Sequence, residues 1–262
     1  IGDPMMIQEL PLGVAADWTL VPTVGTPPPP RFFGQIVYDP VRDRLLAYGG
    51  RDSVIRDDVW QLTLAGTPTW SPVVTAGPAP GAHLRASIIY DPVRDRLILF
   101  GGQTRYEAGS AFDRNDVWAL SLAGTPTWSQ LNPAGTPPFA QRGHHAVYDP
   151  VRDRMIVVGG YANTTQIRYA WALSLGSSPV WSVLTTPADG APPKMGGASA
   201  IFDPVRDRVL TYGGGATDLL FAAPDDVDAV WALSLKYGPA WSALSPGGTS
   251  PGNRSLHAAV YD

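Results

Sequence analysis

The chain has 262 residues, 44% of them hydrophobic, with 28 Gly, 27 Pro, no Cys and a formal charge of -4. That is ample apolar material for a core and too many turn formers for long helices, and it excludes disulfides, thiolate catalysis and Cys-ligated zinc. Lys194 and Lys236 are the only lysines, no basic run addresses nucleic acid or anionic lipid, no apolar stretch would span a bilayer, and no secretory leader opens the sequence as given. The Arg-over-Lys, Ala/Pro/Gly-rich usage points to a GC-rich bacterial source.

In chain order, "MIQELPL" and "DWTLVP" near Trp18 have the alternation of two strands. Four short apolar stretches follow, "GQIVY", "RLLAYGG", "DVWQLTL" and "WSPVV", each strand-like in length and alternation. The same set then recurs. "YDPVRDRLLAYGG" at Tyr38 is rewritten from Tyr90, Tyr148 and Phe202, and a fifth copy begins at Tyr261. A catalytic motif is needed once per site, whereas a structural unit is needed many times.

The copies differ in one place. The step from the opening aromatic to the first Gly of the Gly-Gly pair is constant, Tyr38 to Gly49, Tyr90 to Gly101, Tyr148 to Gly159 and Phe202 to Gly213. The spacing of the two following tryptophans is constant as well, in Trp60/Trp70, Trp118/Trp128, Trp171/Trp181 and Trp231/Trp241. From the second Trp to the next aromatic the step is again fixed, except that Trp181 to Phe202 holds a single added position. Only the step from Gly-Gly to the first Trp changes freely: Gly50 to Trp60 and Gly160 to Trp171 are short, Gly102 to Trp118 and Gly214 to Trp231 long. One loop absorbs nearly all the variation. Asp-Pro-Val-Arg-Asp between the first two strands is a hairpin turn, with Pro presetting φ and Asp side chains accepting backbone N–H bonds. Helical periodicity is nowhere sustained, so four-stranded units of this length predict an all-β fold, a β-propeller.

Hydrophobic residues ending in Gly-Gly, then a loop, "DVW", a second Trp, and a Pro and a basic residue before "HHAVYD" resemble the kelch repeat over practically the whole chain. The resemblance implies a kelch-type propeller of four-stranded antiparallel blades. It is similar in fold to the central domain of galactose oxidase, whose copper site needs a Tyr crosslinked to Cys, which a chain without Cys lacks. One departure is Leu62, Leu120, Leu173 and Leu233 where kelch repeats usually carry Tyr. The expected organisation is one propeller domain with blades near 32–83, 84–141, 142–194 and 195–250, and a blade split between 1–24 and 251–262. The split blade's Gly-Gly strand is at neither end, so a longer propeller is expected, with open blade edges that invite self-association.

Arg42, Asp43, Arg44 and their counterparts are expected to brace the hairpin rather than form an anion-binding rim, since repetition at every turn suits a structural device. The tryptophans, Trp18 included, fall at two repeat positions and are expected in cores between blades. His83, His144, His145 and His257 lie on or just before first strands, but adjacent strand residues face opposite ways, so His144 and His145 do not converge on one metal. Asp225 to Asp228 could ligate calcium, yet Asp57, Asp58 and Asp116 suggest acidic strand entries instead.

The loops after Gly-Gly share one face and vary in length and content, which suits recognition. The expected contacts are Arg56, Arg105, Tyr106, Tyr161, Arg168 and Phe221. The expected function is non-enzymatic binding of a protein or glycan, with no cofactor or metal and neither nucleic acid nor membrane as partner, in an extracytoplasmic setting. The alternatives are a glycan-acting hydrolase or oxidase at the channel mouth, carried by His144 or His145 with Arg142, His257 and Arg254, and a structural subunit of an extracellular assembly.

Overall fold

A computed structural model describes residues 19–107, 110–193, 195–215 and 227–261, with side chains described outside 105–111. In the first blade, β1 (Val24–Gly25) lies parallel on the outer strand of the antiparallel order β2 (Gln35–Asp39), β3 (Arg44–Tyr48), β4 (Val59–Thr63), β5 (Thr69–Val73). The second blade is β6 (Ser87–Asp91), β7 (Arg96–Glu107), β8 (Ser110–Ser121) and β9 (Thr127–Leu131). In the third, β10 (Ala134–Gly135) lies on the outer strand of β11 (His145–Asp149), β12 (Arg154–Val158), β15 (Ala170–Ser174) and β16 (Val180–Thr185), and β13 (Tyr161–Ala162) and β14 (Thr165–Gln166) form a small separate hairpin. The fourth is β17 (Ser199–Asp203), β18 (Arg208–Tyr212), β19 (Val230–Ser234) and β20 (Ala240–Leu244). First strands of successive blades are neighbours, β2 to β6 to β11 to β17, so the blades stand side by side around an axis.

Strand alternation explains how the cores form. On β7, Leu97 and Leu99 face back to Leu46, Tyr48 and Val59 of the first blade. Ile98 and Phe100 face forward to Met155, Val157 and Trp171 of the third. A third core joins Ile156, Val158 and Ala170 to Val209, Leu233 and Trp241. Each central strand is apolar on both faces because a blade buries both, which is why its sequence is a near-continuous hydrophobic run. Five tryptophans belong to these cores, Trp118, Trp128, Trp171, Trp181 and Trp241 being buried. Trp231 packs half-buried against the third core, Trp60 and Trp70 of the first blade are half-buried and lie outside the three cores, and Trp18 lies outside the described residues.

The hairpin turn is built as its residues dictate. Asp39 is fully buried, and its Oδ1 accepts the amides of Val41 and Arg42 at 3.1 and 3.2 Å while Oδ2 accepts from Arg44 Nε at 2.8 Å. The last Asp of each turn adopts the left-handed region, φ 46–49° at Asp43, Asp95, Asp153 and Asp207, which Asp tolerates better than most residues. Gly-Gly has a matching cause: at Gly159, φ 66°, a Cβ would lie 2.4 Å from the Met195 carbonyl oxygen of the next blade, so only glycine lets the blades approach.

The second blade differs from expectation. Its segment after Gly-Gly is not a simple loop, since β7 and β8 each run 12 residues and pair out to Glu107 and Ser110. A longer insertion between two strands is accommodated by extending their ladder, which satisfies the added backbone groups.

Candidate functional site on the loop face

The residue five before each opening aromatic is in the left-handed region: Phe33, Arg85, Gly143, Gly197 and Leu256, with φ 61, 53, 61, 66 and 56°. These positions join blade to blade. Arg85 N donates to Phe33 O, Gly143 N to Arg85 O, Gly197 N to Gly143 O and Leu256 N to Gly197 O, at 2.7–3.3 Å. The Arg85 guanidinium also sits 4.1 Å over the Phe33 ring. No shared side-chain chemistry marks these positions, so sequence reading missed them; their constant offset from the aromatic was the available signal.

Outside this ring, loops after Gly-Gly interlock with the linkers between blades. Arg31 grips Asp58 at 2.5 and 3.0 Å, Asn115 donates to Pro138 O at 3.3 Å, and Arg168 donates to the carbonyls of Pro192 and Ala191 at 2.9 and 2.7 Å. Arg142 and the Asn163 amide share the Asp113 carboxylate at 2.7 Å. The acidic strand entries are tied to the first tryptophans, with Trp60 and Trp118 indoles donating to Asp58 and Asp116 at 2.7 and 2.8 Å. Between the first two blades a groove of about 500 Å³ is lined by Arg51, Ser53–Ile55, the linker residues Pro80–Ala82 and Thr104. Val54 on its rim is 51% exposed.

The six expected contacts divide. Arg56 stands on this face, paired with Asp52 at 2.5 Å, and its hydrogen bond holds the Asp52 carboxyl down at about 2. Arg105 and Tyr106 lie in the extended end of β7, Tyr106 opposite Ala111. Arg168 braces a linker through backbone carbonyls rather than projecting freely. Tyr161 is no surface group: it is 3% exposed, its hydroxyl donates to Gly215 O at 2.9 Å, and a Cβ on Gly196 would strike its ring at 2.0 Å. That corrects the expectation that it would face a partner, because β13 turns the ring inward. Phe221, Asp225 and Asp226 lie outside the described residues.

The residues of the enzyme alternative are held by separate partners, although His144, His145 and His257 are near enough to act on one another electrostatically. His144 is buried with Nε2 3.2 Å from Phe100 O, and burial, then the neighbouring His145, pushes its pKa down to about 3. His145 is half-buried and held down at about 4 by desolvation and then by His257. His257 meets Ser199 Oγ at 2.8 Å, Arg254 donates to Gly252 O at 3.2 Å, and His83 is buried 3.9 Å from Asp116. Among the described residues, no group of three His, Cys, Asp or Glu could hold a metal ion, and no helix is long and apolar enough to cross a membrane.

The family description "KLHDC2/KLHL20/DRC7 Kelch-repeats domain" matches residues 14–214. The chain belongs to the kelch-repeat family. This kelch chain is 28% identical over 217 residues to acyl-CoA-binding domain-containing protein 5 of Arabidopsis thaliana, covering 80% of this chain and 31% of that protein. It is 27% identical over 212 residues to the leucine-zipper-like transcriptional regulator 1 homolog of Drosophila melanogaster, covering 76% of this chain and 20% of that protein. The chain thus spans a third or less of the length of these relatives. Among solved structures it is similar to YjhT, with a TM-score of 0.66 at 18% identity over 87% of this chain and 68% of that one, which establishes a kelch-type β-propeller fold. Within that fold the leucines that replace the usual Tyr have a packing role: Leu120, Leu173 and Leu233 are fully buried and stand directly opposite Trp128, Trp181 and Trp241 across the strand pair.

Proposed function

We propose that this kelch domain is a non-enzymatic protein-binding module that receives its partner on the loop face. The observation carrying this reading is the groove between the first two blades, about 500 Å³ and walled by a variable loop, a linker and the base of the longest hairpin. Beneath it the blades are tied by cross-blade backbone hydrogen bonds, while the loop and hairpin that wall it on two sides belong to the segments after Gly-Gly, whose length and composition change between copies. A fixed platform with variable loops is a common way to place recognition residues. Kelch domains commonly bind proteins, which favours a protein over a glycan. The contacts proposed are Arg56 and the arm bearing Arg105 and Tyr106, together with Val54 on the groove rim.

The test is affinity capture of a partner from source-cell extract, followed by titration of the purified pair. Val54→Arg and the double variant Arg105→Ala/Tyr106→Ala should each weaken binding at least about tenfold, about 1.4 kcal/mol. Val93→Arg and Val151→Arg, on hairpin turns where the side chains are exposed, should leave it unchanged. The reverse pattern would place the interface on the hairpin face and overturn the reading.

A further inference from the structure

Three blades have their outermost strand closed by a clip from the preceding linker. Val24 N donates to Pro68 O, Ala76 N to Pro126 O and Ala134 N to Pro179 O, at 2.8–2.9 Å, and Trp128 N donates back to Ala76 O at 2.8 Å. The clip runs parallel to the outer strand, pairing Val24 with Thr69, Ala76 with Thr127 and Ala134 with Val180. Its next residue is always glycine: Gly25, Gly77 and Gly135 have φ 79, 80 and 85°, and a Cβ on any of them would lie 2.2–2.3 Å from the carbonyl oxygen of Trp70, Trp128 or Trp181. The clip is therefore a small or branched apolar residue followed by an obligatory glycine.

The fourth blade lacks one, for a reason visible in the chain. The linker before it, from Trp181 to Phe202, holds one position more than the linker from Trp128 to Tyr148. Pro187–Asp189 form a 3-10 turn there, whose Asp189 carboxylate accepts from the Thr186 amide and hydroxyl at 2.7 and 2.9 Å. Before its glycine this linker holds two positions more, so Ala188 and Gly190 fall seven and nine residues after Trp181 instead of six and seven, the pair closes into the turn, and a Cβ on Gly190 would meet nothing within 4 Å. Among the described residues no segment pairs with the outer edge of β20, leaving the Pro239 carbonyl and Trp241 amide, the counterparts of Pro126 and Trp128, without a backbone partner. The strand is nevertheless firmly set, since Trp241 is buried and its indole donates to Thr185 Oγ1 at 2.9 Å.

We propose that the outer edge of β20 is a second docking site, on the rim and separate from the loop face, for an extended segment of a partner protein. The segment adds parallel to β20, with its small residue donating to Pro239 O and its glycine lying over the Trp241 carbonyl. An open edge is a template for strand addition, in which main-chain bonds supply affinity and close approach selects the side chains. Three occupied edges in the same molecule define what fits. The clips of a second copy are already seated on their own blades, which points to a different chain as the source.

The test uses amide hydrogen exchange and a synthetic peptide of residues 131–137, LNPAGTP. In the free protein the Trp241 amide should exchange far faster than that of Trp128. Millimolar peptide should slow it, and the same peptide carrying Gly135→Val should bind at least about tenfold more weakly, since a Cβ cannot approach the Trp241 carbonyl. Deleting both Thr186 and Asp189, which returns Ala188 and Gly190 to six and seven residues after Trp181 as in the other linkers, should restore the clip, protect Trp241 without peptide and abolish peptide binding. Equal binding of the valine peptide, or no slowing at Trp241, would overturn the site. Protection of Trp241 that rises with protein concentration alone would mean that a second copy fills the edge, and would overturn the proposed occupant.

Discussion

Arg152 and Asp207 lie in the hairpin turns of different blades, yet their side chains meet at 2.6 Å. The guanidinium also donates to the Leu235 carbonyl at 3.0 Å and pairs with Asp149 of its own turn. Arg42 with Asp95 and Arg94 with Asp153 repeat the contact, each at 2.5 Å. The turn Arg is thus a clamp between blades as well as a brace within one.

Arg206 occupies the same repeat position, yet its side chain is 63% exposed and pairs at 3.4 Å with Asp203 of its own turn. Arg152→Ala should cost about 1–3 kcal/mol, the range for losing hydrogen bonds to a charged group and stranding its partner. Arg206→Ala should cost less than about 1 kcal/mol, as for an exposed pair. Urea unfolding of both variants measures the difference, and equal losses would contradict the clamp.

Acid should destabilise the protein in two stages. His144 is depressed from 6.5 to about 3 by burial, so the folded state keeps it neutral where the unfolded chain takes up a proton. Its contribution is whole above pH 6.5 and falls as pH drops toward 3, by up to about 1.4 kcal/mol per pH unit. Asp95, Asp153 and Asp207 are lowered from 3.8 chiefly by hydrogen bonds from Arg42, Arg94 and Arg152, so their contribution is present above that value and is lost below it. Unfolding free energy measured from pH 8 to 3 should begin to decline below about 6.5 and steepen below about 4. His144→Gln should make the first stage shallower, and His145, also depressed to about 4, should account for what remains.

Gly159→Ala should destabilise by about 2 kcal/mol or more, from a forced positive φ and a clash with the next blade. The clashing atoms are the Met195 carbonyl oxygen and Cβ, 2.4 and 2.7 Å from the added methyl. Gly66→Ala, also at positive φ (70°) but with nothing within 4 Å, should show the φ cost alone. Thermal unfolding of the two separates strain from blade contact.

Tyr161→Phe should lower stability by about 1 kcal/mol, because the Gly215 carbonyl loses a buried donor. Chemical denaturation reads the change, and a neutral result would mean that the hydroxyl's bond to Gly215 adds nothing to stability.

Much of this protein was legible along the chain. Alternating apolar runs predicted the strands, the fixed offset from Tyr148 to Gly159 predicted the pairing of β11 with β12, and Asp-Pro-Val-Arg-Asp predicted the hairpin between them, because these depend on local sterics and on a period of two. The burial of Trp118, Trp128, Trp171, Trp181 and Trp241 followed from their repetition. Tertiary structure decided what passes between blades: that Arg152 reaches Asp207, that Phe33 and Arg85 share a left-handed ring position with two glycines, and that Tyr161 turns inward. Those outcomes depend on which groups meet from distant blades, where side-chain type carries no register. The clearest case is Asp189. In the sequence it appears only as a shift of Ala188 and Gly190 to seven and nine residues after Trp181, where the other linkers hold the pair at six and seven, and only the folded chain shows that this segment forms a turn and leaves the edge of β20 uncovered.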